Sequence, residues 1–114
     1  MKPNFYHKEL AEGGWGKLSF PEQMANIGSE VERTINWNKR KKPEHSQEAF
    51  FRALELVDFT ITDKRNKRRL KELCRVREVL VDYFFGDNEY KSTDLLWQKY
   101  FRAFTWQVSL ARGR

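Results

Sequence analysis

The stretch SFPEQMANIGSEVERTINWN, residues 19–38, predicts an amphipathic helix and sets the fold class. Ser19 and Glu22 have the spacing of a helix-capping box, and Pro21 suits the first turn, where its missing N–H costs little. Gly28 costs about 1 kcal/mol relative to alanine in a helix, so we expect it to let a neighbouring helix approach closely. The apolar side chains fall within about 80° of arc on a helical wheel and form the inward stripe: Met24, Ile27, Val31 and Ile35.

The second helix is predicted to follow a loop. Residues 38–45 contain four consecutive basic residues and Pro43, a composition that favours a loop. Ser46 is then expected to cap a helix that runs to about Thr62. Its inward side chains share the helical spacing of the first stripe: Phe50, Leu54, Val57 and Ile61.

Two further helices are predicted beyond this point. A third begins near Asp63 or Asn66 and is stopped by Gly86, which suits a left-handed C-terminal cap. Ser92 or Thr93 caps a fourth. The inward positions are Leu73, Val76, Leu80, Tyr83 and Phe84 on the third helix, and Trp97, Tyr100, Phe101, Phe104 and Val108 on the fourth.

These patterns predict an all-α fold, since no run alternates as a strand would. Short connections favour an up-down antiparallel four-helix bundle over residues 19–112. Residues 1–18, with three glycines around Trp15, are expected to form an irregular N-terminal arm. A three-helix arrangement, with the second and third helices continuous through residues 62–66, is the alternative.

Composition limits the classes of protein to consider. A chain of 114 residues has room for one core. Its single cysteine, Cys74, excludes an internal disulfide and a cysteine-based zinc site. The sequence opens on no signal-like stretch and contains no apolar run long enough to span a membrane, so we expect a cytoplasmic protein.

Positive charge is concentrated in residues 64–77. That window carries a formal charge of +7, whereas the whole chain carries +6. On a helical wheel five of the cations occupy about 100° of arc, opposite the inward stripe. Arg112, Arg114 and Lys17 are expected at the same end of a bundle. We therefore predict a surface that binds the phosphates of RNA or DNA without reading base identity, formed by Lys64, Arg65, Lys67, Arg68, Arg69, Lys71, Arg75, Arg112 and Arg114. The basic run at residues 39–42 is expected at the opposite end, where it serves solubility.

Two helices carry apolar residues on a second face as well as on the inward face. A monomeric four-helix bundle has no further interior in which to bury this second face. Such surplus apolar surface is typical of a protein interface. The predicted interface residues are Leu56 and Phe59 on the second helix, and Leu95, Trp106 and Leu110 on the fourth. We expect them to support a homo-oligomer, with a different protein partner as the alternative.

Enzyme interpretations find little support, and no catalytic residue, metal site or cofactor is predicted. Arg40 and His45 have the Arg-x4-His spacing of helical ribonucleases of the HEPN type, but Pro43 lies between them. Glu55 and Asp58 resemble half of a magnesium site, whose matching acidic pair on the first helix is missing. Internal ion pairs of Asp58 and Glu30 with Arg33, Arg75 or Arg77 are the simpler interpretation.

Helix count, length and the basic face, together with the stretches at residues 51–56 (FRALEL) and 97–101 (WQKYF), carry a likeness that covers Ser19 to Ala111. Over this range the chain resembles a bacterial four-helix-bundle superfamily. That superfamily contains proteins encoded in intervening sequences of large-subunit ribosomal RNA genes and the accessory variability determinants of diversity-generating retroelements. The resemblance implies a ring-like homo-oligomer, often a pentamer, that binds RNA or DNA and, in some members, a reverse transcriptase.

Overall fold

The computed structural model describes residues 7–113 and confirms the all-α class. Across that range the regular elements are all helical. Four α-helices form the body of the molecule: α1 (Phe20–Lys39), α2 (Pro43–Thr62), α3 (Leu70–Phe84) and α4 (Asp94–Arg112). Shorter turns of π-helix and 3₁₀-helix occupy Leu10–Gly14, Trp15–Lys17 and Lys64–Arg69. Arg114, one of the predicted phosphate ligands, lies outside the described residues.

Helix α1 packs between α2 and α4. Near the end of α1, the Ser46 hydroxyl at the start of α2 donates to the Thr34 carbonyl over 3.0 Å. On the other side, Gln98 of α4 donates to Glu32 over 3.2 Å. The central position of α1 explains why its inward stripe is completely buried.

Helix α3 packs against α2 and is joined to α4 by side-chain hydrogen bonds. The guanidinium group of Arg77 pairs with Asp58 of α2 at 2.7 Å. Towards α4, the Tyr83 hydroxyl donates to Asp94 over 2.6 Å. Burial and this hydrogen bond to Asp94 raise the pKa of Tyr83 to about 12. The predicted pairing of Asp58 with Arg77 is thus confirmed.

The helix starts agree with the sequence in two cases. The Ser19 hydroxyl accepts from the Glu22 N–H over 3.2 Å, and the Glu22 carboxylate accepts from the Ser19 N–H over 3.0 Å, so the capping box is confirmed. At α4, the Thr93 hydroxyl accepts from the N–H of Leu96 over 3.1 Å. Of the two predicted caps for α4, Thr93 is therefore the one used.

The other helix boundaries differ from the sequence predictions. Helix α2 begins at Pro43, not after a cap at Ser46, because proline suits the first turn and needs no N–H partner there. Helix α3 ends at Phe84, and Gly86 does not adopt the expected left-handed conformation; the positive φ falls on Asn88 and Lys91 instead. Extended backbone at Asp63 ends α2, so the alternative with α2 and α3 continuous is wrong.

The N-terminal segment is helical over residues 8–17 apart from a kink at Gly13, where φ is 122°, and it packs on the core. Trp15 is only 3% exposed, and its indole N–H donates to the Thr60 hydroxyl over 3.0 Å. Its ring meets Phe59 edge-on at 6.4 Å between centroids. This docking corrects the expectation of an irregular arm, at least over residues 8–17.

Docking of the N-terminal segment also corrects part of the predicted interface. Leu56 is 2% exposed and belongs to the core, and Phe59 is half-buried against Trp15. The second apolar face of α2 is therefore covered by the chain itself. Among the described residues, no helix combines the length and apolar character needed to cross a membrane.

Candidate nucleic-acid interface

A buried polar network holds the 3₁₀ turn Lys64–Arg69 in place. Asn66, at the middle of the turn, is 4% exposed, and its amide N–H group donates to the Gln23 side-chain oxygen (2.9 Å) and to the Thr60 carbonyl (3.0 Å). The Gln23 amide in turn donates to the Trp15 carbonyl (3.0 Å) and to the Asp63 carboxylate (2.9 Å). One basic turn is thereby fixed to α1, to α2 and to the N-terminal segment.

Asp63 terminates this network and engages the first arginine of the turn. Its carboxylate accepts from the backbone N–H of Arg65 over 3.0 Å and from the Arg65 guanidinium over 2.7 Å. Hydrogen bonds from the Arg65 side chain hold the pKa of the Asp63 carboxyl well below its ordinary value. Arg65 also donates to the Leu18 carbonyl over 2.7 Å. This arginine is committed to internal contacts.

Two other predicted ligands contact the start of α1. The Arg69 guanidinium lies 4.1 Å from the centre of the Phe20 ring, and Arg112 of α4 pairs with Glu22 at 3.1 Å. Hydrogen bonds from Ser19, with a further contribution from Arg112, lower the pKa of the Glu22 carboxyl. The structure thus brings Arg112 to the same end of the molecule as the basic turn, as the sequence predicts.

Four cations remain without such contacts, and we call them the basic surface: Lys64, Lys67, Arg68 and Lys71. All four are exposed. Within residues 7–113 none of them takes part in an ion pair or a side-chain hydrogen bond. They lie within at most about 13 Å of one another along the helical axis, given rises of about 2.0 and 1.5 Å per residue. A concentrated, unneutralised charge of this kind attracts polyanions.

The local geometry differs from the one assumed on the helical wheel. Residues 64–69 form a 3₁₀ helix with a kink at Asn66, so the wheel of a continuous α-helix does not apply to them. The cations are exposed nevertheless, because Asn66 is the residue that turns inward. The outward placement of the basic residues therefore depends on one buried amide.

Arg75 lies one turn beyond Lys71 and contacts a residue that the sequence predictions missed. Its guanidinium group is 4.5 Å from the centre of the Tyr90 ring. Tyr90 belongs to the connection between α3 and α4, and its hydroxyl donates to Glu78 over 3.0 Å. A lone aromatic in a loop gives no periodic signal, so only the fold reveals this neighbour.

The predicted interface residues of α4 are exposed. Leu95, Trp106 and Leu110 are 55%, 64% and 44% exposed. They fall within about 60° of arc on the helix, at 100° per residue. The cations Lys99 and Arg102 lie on the same face. We call these five residues the α4 face.

The residues considered for enzymatic chemistry are placed as follows. His45 lies in the first turn of α2, not in a loop, and stacks on Trp37 at 4.5 Å between ring centroids. Arg40 lies 5.4 Å from the same Trp37 ring. Glu55 accepts from His7 over 2.7 Å, and Asp58 pairs with Arg77. Across residues 7–113, no three histidine, cysteine or acidic residues are grouped as a metal site would need.

Glu30 is a buried carboxylate in the α1–α2 contact. It pairs with Arg33 one turn away on α1 and with Arg52 of α2. The predicted pairing of Glu30 with Arg33 is confirmed, and Arg52 is the additional partner. This carboxylate therefore has a structural partner on each helix.

No protein-family model, curated protein sequence or solved structure matches this chain.

Proposed function

We propose that the chain is a non-enzymatic, homo-oligomeric module that binds the phosphates of RNA or DNA through the basic surface. In this proposal the four α-helices form an up-down antiparallel bundle that acts in the cytoplasm. The observation that supports it best is the basic surface itself, four exposed cations that have no acidic partner within residues 7–113. The neighbouring Arg65 and Arg112, in contrast, are paired with Asp63 and Glu22.

Local electrostatics favour an external anion at this position. Helix α3 starts at Leu70, directly after the turn, and Arg69 provides no side-chain cap for its first N–H groups. The positive end of the helix dipole therefore adds to the field of the lysines. Cations at a helix N-terminus lower helix stability, so their presence there is better explained by a ligand than by folding.

The resemblance to the superfamily of ribosomal-RNA intervening-sequence proteins agrees with this proposal. It implies a nucleic-acid-binding ring, often of five copies, and a reverse-transcriptase partner in some members. A ring would repeat the basic surface several times and strengthen binding through avidity.

The experiment that tests the proposal is a salt titration of binding to RNA and to DNA. Four phosphate contacts for each protomer predict that log K falls with log[salt] with a slope of about −3 for a single strand, at about 0.7 per contact. Replacing Lys64, Lys67, Arg68 and Lys71 by glutamine should weaken binding by at least about 100-fold and flatten this slope. Helicity measured by circular dichroism should stay unchanged, since in the described part of the chain these side chains form no ion pair or side-chain hydrogen bond.

A matched control comes from the basic run at the far end of the molecule. Replacing Lys39, Arg40, Lys41 and Lys42 by glutamine removes the same charge. These residues lie where α1 ends and α2 begins, away from the basic surface. This control should keep its affinity within about 3-fold, because long-range attraction is screened beyond about 8 Å at physiological ionic strength. Equal losses in both variants would show that only net charge matters and would refute the basic surface as a site.

A protein-binding adaptor is the second candidate, and the exposure of Trp106 on α4 favours it. On that alternative the α4 face docks a different protein and the basic surface only maintains solubility. A clean monomer that binds neither RNA nor DNA at low salt would select the adaptor.

A ribonuclease is a third candidate, because Trp37 contacts both Arg40 and His45. The same binding reactions test it, since RNA recovered from them is either intact or cut. Metal-independent cleavage that is lost in His45→Ala would replace the non-enzymatic proposal.

A further inference from the structure

Tyr90 lies at the point where the basic stretch of α3 gives way to acidic residues. On the outer face of α3, Lys71 and Arg75 are one turn apart, and Glu78 and Asp82 follow. The connection from α3 to α4 folds back over this face. Arg75 contacts the Tyr90 ring, and Glu78 accepts from its hydroxyl. Arg75 lies about 6 Å along the helix from Lys71. The ring that it contacts is therefore close to the basic surface.

Several hydrogen bonds hold the backbone of the connection around Tyr90 in place. The Asp82 carboxylate accepts from the N–H groups of Glu89 (2.8 Å) and Tyr90 (3.0 Å). Asn88 closes the connection by exchanging hydrogen bonds with the backbone of Ser92, at 2.8 and 3.0 Å. The loop is thus tied to α3 at its centre and closed on itself before α4. An aromatic side chain fixed in this way loses little entropy when a ligand stacks on it.

Tyr90 is nevertheless 41% exposed, and Arg75 is exposed as well. Aromatic rings and arginine guanidinium planes are the two surfaces on which proteins stack unpaired bases. Paired bases inside a duplex are not accessible to such a surface.

We propose that the Tyr90–Arg75 pair stacks an unpaired nucleobase while the basic surface holds the adjacent phosphates, so that the chain prefers single strands to duplexes. The inference rests on the proposed function, because the phosphates supply the binding and the pair supplies the selection for unpaired bases. Stacking on a ring tolerates any base, which agrees with a surface that does not read sequence.

The test compares single strands and a duplex of about 12 nucleotides, as RNA and as DNA, by fluorescence anisotropy. The protein should bind the single strands more tightly than the duplexes. Tyr90→Leu should weaken single-strand binding by about 5- to 100-fold and leave duplex binding unchanged. The slope of log K against log[salt] should stay the same, because no phosphate contact is lost.

Two matched variants separate stacking from loop structure. Tyr90→Phe keeps the ring and loses the hydrogen bond to Glu78, so it should retain most of the single-strand preference. Phe51→Leu removes an exposed aromatic that stacks on Phe85 at the far end of α3, and it should bind like the wild type. Photocrosslinking with a single strand that carries 5-iodouracil should place the crosslink on Tyr90.

The possible results distinguish this inference from the proposed function. Suppose that binding is lost when the four basic-surface residues are replaced by glutamine but is unaffected by Tyr90→Leu. That result would overturn the stacking site and leave the proposed function standing. Equal weakening of single-strand and duplex binding would also overturn it, since Tyr90 would then only shape the loop. A protein that binds no nucleic acid at low salt would overturn both. If Tyr90→Leu weakens binding to single-stranded RNA alone or to single-stranded DNA alone, the result would support stacking and identify the sugar that the site accepts.

Discussion

Gly28 of α1 and Phe101 of α4 approach so closely that no side chain fits between them. A Cβ placed on Gly28 would lie 2.6 Å from the Cβ of Phe101 and 3.0 Å from its Cγ. Because the obstructing Cβ is attached directly to the α4 backbone, it cannot swing away, and the helices must separate. We expect Gly28→Ala to lower the free energy of unfolding by about 1–3 kcal/mol, the cost of an overpacked contact.

The sign of that change makes the Gly28 experiment informative. In an unobstructed helix the same substitution would stabilise the protein by about 1 kcal/mol. Ser29→Ala, at the exposed neighbouring position, is the matched control and should change stability by less than about 0.5 kcal/mol. Urea unfolding of the three proteins provides the comparison. A Gly28→Ala protein more stable than the wild type would show that α1 and α4 are not in close contact.

The role of Gly28 could be predicted because its signal is local: a glycine in the middle of an otherwise regular helix. The capping box at Ser19 and Glu22 and the cap at Thr93 are local in the same sense, since a helix start depends on residues three positions apart. The outward placement of Lys71 on α3 also follows from a short-range pattern. All of these depend on neighbours in the sequence.

The misassigned residues depend on contacts between distant parts of the chain. Leu56 looks like an outward residue until Trp15, about forty residues earlier, is docked against α2. The Tyr90–Arg75 pair likewise requires the α3–α4 connection to fold back on α3. A periodic pattern shows which face is apolar, but it does not show which segment covers that face.

Trp15 is expected to anchor the N-terminal segment and to contribute to global stability. Trp15→Ala should lower the free energy of unfolding by about 3–5 kcal/mol, because a buried aromatic is lost and a cavity remains. It should also speed tryptic cleavage after Lys17 in the folded protein, since the segment would detach from α2. Thr60→Val removes the hydroxyl that accepts from the indole and donates to the Leu56 carbonyl, and it should cost about 1–3 kcal/mol. Unchanged cleavage in Trp15→Ala would show that other contacts hold the segment.

Asp63 is expected to make the free energy of unfolding decrease at acid pH. Its pKa in the folded state lies below the ordinary 3.8, owing first to hydrogen bonds from Arg65, so the unfolded chain takes up its proton first. Its stabilising contribution is therefore complete well above pH 3.8 and is lost as the pH falls through the folded-state pKa. Asp63→Asn should be about 1–2 kcal/mol less stable than the wild type at neutral pH.

That difference between Asp63→Asn and the wild type should shrink as the pH is lowered from 3.8 towards the folded-state pKa. Urea unfolding across an acid pH series measures it. Glu22 also has a lowered pKa, so Glu22→Gln is the control that accounts for the other carboxylate at this end of the molecule. A constant difference at every pH would show that the Asp63 charge does not contribute.

The α4 face is expected to hold the homo-oligomer together. Three apolar side chains on one helical face, with Trp106 the most exposed, have no covering segment within residues 7–113. Burial of a tryptophan and a leucine between copies would contribute several kcal/mol, on the scale of about 25 cal/mol per Å² of apolar surface. Trp106→Gln combined with Leu110→Gln should therefore convert the oligomer into monomers, with the mass measured by light scattering.

These two substitutions should leave the folded monomer intact, because neither side chain is part of its core. Leu70→Gln is the matched control, since Leu70 is an equally exposed leucine (43%) on α3 and should leave the mass unchanged. Monomers produced by the double variant should still bind a single strand, but more weakly, because avidity is lost while each basic surface remains. A double variant that keeps the wild-type mass would place the interface elsewhere, and a monomeric wild type would favour the adaptor, with the α4 face reserved for a different protein.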